Sequence, residues 1–215
     1  MCEKNELKVV LLDQTGFSLS DVYELVQDVY KDRTAQGIDF TVSKQSFEDY
    51  CEKISKEHKI IFVIPNGDRL VGSAALSLKT DKKGRRYGGF SNAVVRKDFQ
   101  GQGLGSKLFN ARKQKCIDCG CDYIASTTAE NAESSIRWHF KNGWYLYGYG
   151  KNLDSKYYSY AFRQSLKSKT GKLTILGYKF HFWRTFIVTR LMTRRDGGYS
   201  VLGKFIMNLK SLFSR

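Results

Sequence analysis

Three glycines stand within the six residues Gln100–Gly105 (QGQGLG), directly before a segment with a helical pattern. The first amide groups of a helix have no partner inside it, and the helix dipole favours negative charge at that end. Glycines in the preceding turn let a phosphate approach the backbone without meeting a Cβ atom. The segment therefore predicts a loop that binds a phosphorylated ligand, with a tight strand-to-helix turn as the alternative.

Two widespread phosphate-binding motifs do not fit this loop. A Walker loop requires GK[ST] in register, which the sequence lacks here. The dinucleotide fingerprint requires a final x-x-G and an acidic residue further along, and neither follows the glycines at positions 101, 103 and 105. The phosphorylated ligand therefore belongs to another class.

The cysteines favour reduced thiols over disulfides or a metal site. The chain has five, an odd number, and its N-terminus has no apolar run after a basic start, so we expect no signal peptide and a cytoplasmic location. Cys116, Cys119 and Cys121 form a C-x-x-C-x-C pattern. With only three histidines and no second C-x-x-C, a zinc site lacks obvious further ligands, so we expect no metal.

Hydrophobic patterns predict the elements that position the loop. A strand at Leu7–Asp13 precedes a helix with Val22, Leu25, Val26 and Val29 on one face, and a second helix covers Ser43–Glu57. Three strands, a helix, a strand, a helix and two aromatic strands follow. No run of about 18 apolar residues is present, so we expect no transmembrane helix.

Turn residues mark several boundaries. Asn66 and Gly67 lie between two β-rich segments, which predicts a hairpin with these residues at the two positive-φ positions of a tight turn. The strand that enters the glycine loop covers Tyr87–Val95, and the helix behind the loop covers Leu104–Asp118. Gly143, after Asn142, is a natural stop for the last helix of this region.

The loop and its surroundings resemble a known family. Val94-Val95, then Arg96-Lys97-Asp98-Phe99, then Gln100-x-x-Gly103-x-Gly105, is similar to motif A (R/Q-x-x-G-x-G/A) of the GNAT family of N-acetyltransferases. Glu130-Asn131-x-x-Ser134 and the segment from Trp138 to Trp144 resemble motif B, where E-N-x-x-A and F-Y-x-K-x-G-F are common. The resemblance covers roughly residues 7–162, with the same order of elements.

The resemblance implies a fold and a co-substrate. The fold is of the α/β (α+β) class: a central mixed, mostly antiparallel sheet of about seven strands, with helices on both faces and a splay between strands 4 and 5. The co-substrate is acetyl-CoA: pantetheine bonds the backbone of the first splayed strand, amides of the loop bind the pyrophosphate, and the amide near Val95 polarises the thioester carbonyl. The implied cofactor contacts are Val94, Val95, Gln100, Gly101, Gln102, Gly103, Leu104, Gly105, Ser106 and Asn131.

This sequence lacks the residues that often serve as general acid and general base in the family. A tyrosine four residues before the motif B glycine often protonates the departing thiolate, and that position holds His139. We take His139 as the candidate catalytic residue, with a structural hydrogen bond as the alternative role. Tyr145, Tyr147 and Tyr149 are nearby alternatives for the acid, although alternating tyrosines in a strand more often pack one face of the sheet. Gly88–Asn92 lacks the acid that often serves as the base, so the base is either a water chain or an acid from the N-terminal helices. Those acids are Asp28, Asp32, Asp39, Glu48 and Asp49.

The C-terminal part differs from the rest in charge. Residues 163–215 carry twelve Lys and Arg and one acid, so they hold +11 of the net +15. We therefore divide the chain into an acetyltransferase domain, 1–162, and a basic amphipathic extension, 163–215, with an apolar stripe from Val201 to Phe213. Residues 178–215 suit an anionic membrane surface. Packing on the body or on a second subunit, as in a homodimer, is the alternative, and nucleic acid is least favoured because no binding motif is present.

These observations predict an acyl-CoA-dependent N-acyltransferase, with acetyl as the first choice of acyl group. The acceptor is expected to be a primary amine of a small molecule or sugar precursor that attacks directly in a ternary complex. A non-catalytic acyl-CoA-binding module, or a membrane-tethered scaffold with the same fold, is the alternative. The location follows as cytoplasmic, with peripheral attachment to the inner face of the membrane left open.

Overall fold

The structure, a computed structural model, describes residues 6–35, 45–151, 158–167 and 172–192. Twelve helices and strands are assigned in these ranges, and short 3-10 turns lie at Leu12–Gln14 and Lys97–Phe99. In chain order the elements are β1 Val10–Leu11, α1 Leu19–Ala35, α2 Phe47–Lys56, β2 Ile60–Asn66, β3 Arg69–Thr80, β4 Arg86–Val95, α3 Leu104–Asp118, β5 Tyr123–Ala129, α4 Glu133–Lys141, β6 Tyr145–Lys151, β7 Tyr158–Ser165 and α5 Lys172–Met192.

The strands form one mixed sheet in the order β1-β2-β3-β4-β5-β7-β6. Neighbours from β1 to β4 are antiparallel, as are β6 and β7, whereas β4 and β5 run parallel. Tyr87–Phe90 pair with Tyr123–Ser126, and no further pair joins β4 and β5 in the described part of the chain. The predicted sheet, mostly antiparallel and splayed between strands 4 and 5, is confirmed.

The described residues divide into two compact units. The first holds residues up to Ser126 together with 165–167, and its core forms where α1 packs on β3 and β4. The predicted apolar face of α1 is buried there, with Val22, Leu25 and Val26 fully enclosed. This face forms because apolar residues recur at helical spacing.

Helix α3 packs on β3 and β4 within the same unit and begins and ends at the predicted residues. Leu104, Leu108 and Phe109 are its buried apolar residues. Gly120, two residues past its last turn, has φ +69° and so ends the helix in the left-handed conformation that glycine adopts without strain. The glycine loop lies between two packed elements, because β4 ends before it and α3 begins behind it.

Two sequence predictions need correction. Asn66 is the last residue of β2 and pairs with Arg69, so the hairpin turn consists of Gly67 and Asp68 rather than Asn66 and Gly67. Gly67 alone supplies a positive φ, at +61°. The first strand is shorter than predicted, because the chain turns into a 3-10 helix at Leu12.

The second unit contains residues 127–164 and the described part of 170–215, with α4, β6 and α5. Strand β7 continues to Ser165, three residues past the predicted end of the acetyltransferase domain. Helix α5 packs on β6, where His181 stacks on Tyr147 with ring centroids 4.2 Å apart. The predicted apolar stripe from Val201 to Phe213 lies outside the described residues.

Candidate functional site

The glycine loop of the first unit has a backbone that glycine favours. Gly101 and Gly103 have φ of +78° and +77°, and Gly103 is the N-cap of α3 without a side-chain cap. A Cβ atom built on Gly101, Gly103 or Gly105 meets nothing within 4 Å. Among the described residues, the space beside these three Cβ positions is therefore open.

Most amide groups of the loop have no hydrogen-bond partner among the described residues. The Gln100 amide donates to the Lys97 carbonyl at 3.2 Å, but the amides from Gly101 to Ser106 make no hydrogen bond with any described residue. No acidic side chain lies in the first turn of α3. Six consecutive donors thus lie at the positive end of a helix dipole, and they begin at Gly101 rather than at Gln100.

Side chains of the loop fold back on its own backbone. Gln100 donates from Nε2 to the Val95 carbonyl at 2.9 Å, and Gln102 donates to the Asp98 carbonyl at 3.3 Å. Arg96 reaches the Leu70 carbonyl through Nε at 2.9 Å. These bonds hold the turn without using the amides of its second half.

The backbone of Val95 points away from β3. The Arg96 amide donates to the Val71 carbonyl at 2.9 Å, and Val95 is paired with Gly72. Hydrogen-bonded and non-hydrogen-bonded pairs alternate in an antiparallel ladder, so the pair Val95–Gly72 is of the second kind and Val94–Ser73 of the first. The Val95 amide is therefore directed to the side of β4 where pairing with β5 has ended, whereas the Val94 amide serves the sheet.

A bulge in β4, which the sequence did not predict, precedes these residues. Ser73 pairs with Val94 and Ala75 with Ser91, so two residues of β4 lie opposite one residue of β3. Asn92, in the bulge, has a φ of +49°. Its side chain bonds the hydroxyl of buried Tyr50, whose pKa burial raises to about 12. A buried tyrosine of α2 thus supports the bend that directs the end of β4.

The acids predicted to attract a cationic acceptor have separate environments. Asp28 pairs with Arg96 at 3.3 Å. Glu48 and Asp49 are exposed in the first turn of α2. Asp39 and the side chain of Asp32 lie outside the described residues. The structure therefore gives a definite partner to Asp28 among these five.

Motif B lies in the second unit, where His139 is enclosed by aromatic rings. Its side chain is buried, stacks on Phe162 at 4.4 Å and makes an edge contact with Trp144 at 5.2 Å. Nδ1 lies 2.7 Å from the Ser135 carbonyl. A carbonyl can only accept, so Nδ1 carries the hydrogen and any proton exchange must use Nε2. Asn131, the other predicted residue of this unit, is exposed after β5.

Tyr149, one of the alternative acids that the sequence offers, forms a close pair with Glu130, and the sequence does not predict this contact. The Tyr149 hydroxyl donates to Glu130 Oε2 at 2.5 Å, and the Tyr149 ring stacks on Tyr158. Tyr149 is only 4% exposed. The available signals were Glu130 at the start of motif B and the alternating tyrosines of β6, but their contact depends on the fold of the chain between them.

An open cleft of about 350 Å³ lies beside this pair, within the second unit. His181 of α5, whose Nδ1 is 2.7 Å from the Tyr147 carbonyl, forms part of its wall. The lining also includes Thr127, Tyr149, Lys151, Ser159 and Thr185. The cleft is open to solvent and large enough for a small molecule, and its exposed lining is more apolar than polar.

Within the described residues, the cysteines form neither a metal site nor a reactive centre. Burial raises the pKa of the Cys116 thiol to about 12, which keeps it protonated and unreactive. Within the described ranges no three or more His, Cys, Asp or Glu side chains cluster as metal ligands would. The helices in those ranges are also too short or too polar to span a bilayer.

The fold, the splayed strands and the open amides agree with a match to a protein-family model. The model of the acetyltransferase (GNAT) family matches residues 19–144, which is more than half of the chain. The chain therefore belongs to the GNAT family and is an acetyltransferase, as the resemblance of its two motifs predicted.

Solved structures of other acetyltransferases share this fold at low sequence identity. The ribosomal-protein-S18-alanine N-acetyltransferase of Escherichia coli has a TM-score of 0.58 at 13% identity, over 78% of this chain and 97% of its own. The IAA acetyltransferase of Bacillus cereus has a TM-score of 0.56 at 15% identity, over 75% of this chain and 100% of its own. A Bacillus subtilis acetyltransferase in complex with CoA has a TM-score of 0.54 at 14% identity, over 75% of this chain and 99% of its own. No curated protein sequence matches the chain significantly.

Proposed function

We propose that this enzyme transfers an acetyl group from acetyl-CoA to a primary amine of a small molecule, and that the CoA pyrophosphate binds the amides of Gly101–Ser106. One observation carries the placement: six consecutive amides without partners in the described residues, at the start of α3. Phosphate groups bind such sites through the amides and the helix dipole together. The bare backbone at Gly101, Gly103 and Gly105 leaves the approach free.

The amide of Val95 is proposed to polarise the thioester carbonyl. It points to the side of β4 beyond the last pair with β5, and the carbonyl of the same residue is already occupied by the Gln100 side chain. The amide is therefore the donor that Val95 offers to a ligand strand on that side. A fixed donor of this kind stabilises the negative charge that develops on the carbonyl oxygen during acyl transfer.

Proton transfer is proposed to involve the Tyr149–Glu130 pair ahead of His139. Acyl transfer to an amine needs a neutral nucleophile and a proton for the thiolate. Tyr149 lines the cleft and already shares a short hydrogen bond with a carboxylate, so the pair can both donate and accept. His139 is closed into an aromatic cluster and its Nδ1 is committed to a backbone carbonyl, which supports a structural role.

The acceptor is proposed to occupy the cleft of the second unit. The hydroxyl of Ser159, the imidazole of His181 and the ring of Tyr149 suit a small polar amine such as an amino sugar. The solved relatives act on a ribosomal-protein alanine and on IAA, by their names, so the family alone does not select an acceptor. The alternative function, binding of acyl-CoA without turnover, would leave this cleft without an acceptor.

Calorimetric titration of CoA tests the placement of the pyrophosphate. Gly105 lies in the first turn of α3 without a positive φ, and a side chain there enters open space, so Gly105→Leu is expected to fold. The added side chain should block the amides and weaken CoA binding about tenfold or more, the loss expected when charge-assisted hydrogen bonds to the ligand are lost. Asn110→Leu, an exposed change on the same helix, is the control and should bind CoA normally.

Each outcome of this experiment has a distinct meaning. Folded wild-type protein that binds no CoA contradicts the proposed function. Binding that Gly105→Leu leaves unchanged contradicts only the placement on the loop. Binding without release of free thiol from acetyl-CoA, across a panel of amino sugars, polyamines and amino acids, favours the non-catalytic alternative.

A further inference from the structure

One side of helix α5 packs against strand β6 of the same unit. Tyr178 packs against Tyr147, and the Thr185 hydroxyl accepts a hydrogen bond from the Tyr149 amide at 3.0 Å. Thr189 donates to the Tyr149 carbonyl at 3.2 Å. These polar and aromatic contacts attach α5 to the edge strand β6 and fix which face of the helix is turned outward.

The outward face of α5 is apolar. Leu176, Phe180, Trp183 and Ile187 recur at steps of four, three and four, which places them on one stripe of the helix. Between 53% and 73% of each side chain is exposed. Outside α5, only Ile117 and Phe140 are large apolar residues with comparable exposure in the described part of the chain. A continuous stripe of this kind marks an interaction surface.

The charged residues of helix α5 are all positive. Helix α5 carries Lys172, Lys179, Arg184 and Arg190 and no acid. Residues 193–215, which lie outside the described residues, add five Lys and Arg against one Asp. Folding that segment onto α5, or pairing α5 with a second copy, would bring like charges together. An anionic surface instead neutralises the charges of α5 and of the segment that follows it.

We propose that α5 docks on an anionic lipid surface, with the stripe from Leu176 to Ile187 at the boundary of headgroups and acyl chains. Helices that lie in the plane of a membrane interface have this composition: Phe, Trp, Leu and Ile on one face, and Lys and Arg without acids in the rest of the helix. Trp183 at the middle of the stripe suits the headgroup level. The helix binds the surface and does not cross it.

Sedimentation with lipid vesicles tests this proposal on the full chain. Wild-type protein should bind vesicles that contain phosphatidylglycerol, should bind pure phosphatidylcholine vesicles poorly, and should dissociate as salt is raised. The double variant Phe180→Gln/Trp183→Gln should lower the partition coefficient about tenfold or more, because two large apolar side chains no longer leave water. Ile117→Gln, which removes an apolar residue of α3 that is 47% exposed, should bind like the wild type.

Other results would overturn the proposal. Absence of binding to anionic vesicles excludes a lipid surface, as does binding that the double variant leaves unchanged. A chain that elutes as a dimer, and as a monomer after the double substitution, assigns the stripe to a second copy. Charge reversal with Lys179→Glu/Arg184→Glu should abolish vesicle binding, and equal binding by this variant contradicts the anionic partner. Circular dichroism of every variant shows whether the fold is intact, and because this control does not require CoA binding, it keeps the test separate from the proposed function.

Discussion

At the scale of single residues, the position of His139 in motif B suggests that it is the general acid, whereas its surroundings suggest a structural role. The spacing of motif B selects His139, whereas the contacts of His139 with Phe162 and Trp144 explain it as part of a core. Sequence reasoning could find the position because the helix and its stop at Gly143 are local features. It could not find the burial, since Phe162 lies on β7, more than twenty residues further along the chain.

Two matched substitutions separate these roles. Tyr149→Phe and His139→Phe each keep an aromatic ring and remove one polar function. We expect Tyr149→Phe to lower kcat by about 10²-fold or more with unchanged CoA affinity, because loss of a proton-transfer group costs that much. His139→Phe should keep kcat within about threefold, since its ring can still stack on Phe162.

The measurement is steady-state kinetics across pH with CoA titration of each variant. The reverse pattern, a large loss of kcat for His139→Phe alone, would identify His139 as the acid and confirm the motif B spacing. A fall in thermal stability of His139→Phe with normal kcat would support the structural role instead. Comparison of kcat with CoA affinity distinguishes proton transfer from loss of the site.

At the scale of elements, what the sequence predicted depended on signals within one segment. Helix α3 was predicted at its observed bounds because glycines flank it on both sides. The hairpin was found, but its turn is displaced by one residue, since register depends on how β2 and β3 pair. The bulge at Asn92 was not predicted for the same reason: the sequence of β4 does not show where two of its residues lie opposite one residue of β3. The glycine loop could thus be predicted from the sequence, but the direction of the Val95 N–H group could not, because it depends on the register of β3 and β4.

The approach of α3 to β4 rests on one glycine. A Cβ atom at Gly88 would lie 2.2 Å from the Cys116 sulfur, which is buried and hydrogen-bonded to Cys121. We expect Gly88→Ala to lower the free energy of unfolding by about 1–3 kcal/mol, the usual cost of overpacking a core. Gly89→Ala is the matched control, because its nearest contact is an ordinary 3.7 Å.

A double-mutant cycle identifies the cause. Cys116→Ala removes the sulfur, so Gly88→Ala should cost at least about 1 kcal/mol less in that background than in the wild type. Urea unfolding of the four proteins gives the free energies. Equal costs in both backgrounds would show that the penalty of Gly88→Ala arises elsewhere, for example from Leu76, whose Cδ1 is 3.1 Å from the position that the added Cβ atom would occupy.

At the scale of the whole molecule, positive charges outnumber negative ones. A carboxylate that pairs with a cation in the fold therefore reduces the repulsion among the positive charges. The chain has 36 Lys and Arg against 21 Asp and Glu. Asp122 joins three parts of the first unit: Oδ2 accepts from the Arg86 amide at 3.0 Å, Oδ1 pairs with Lys167 at 2.7 Å, and its carbonyl accepts from the Leu166 amide. The hydrogen bond from Lys167 lowers the pKa of Asp122, although partial desolvation opposes this change.

The direction of this pKa shift fixes how stability depends on pH. A carboxyl group with a lowered pKa in the folded state contributes stability above its unfolded pKa, about 3.9 for Asp, and loses it as pH falls through the folded value. Asp122→Asn should therefore have a lower urea midpoint than the wild type at about pH 7, and the two midpoints should converge as pH falls through the lowered pKa of Asp122 in the folded state. Asp68→Asn, in the exposed hairpin turn, removes the same charge without an ion partner in the described residues and is the control. A difference between Asp122→Asn and the wild type that persists unchanged at low pH would mean that Asp122 acts through geometry rather than through its charge.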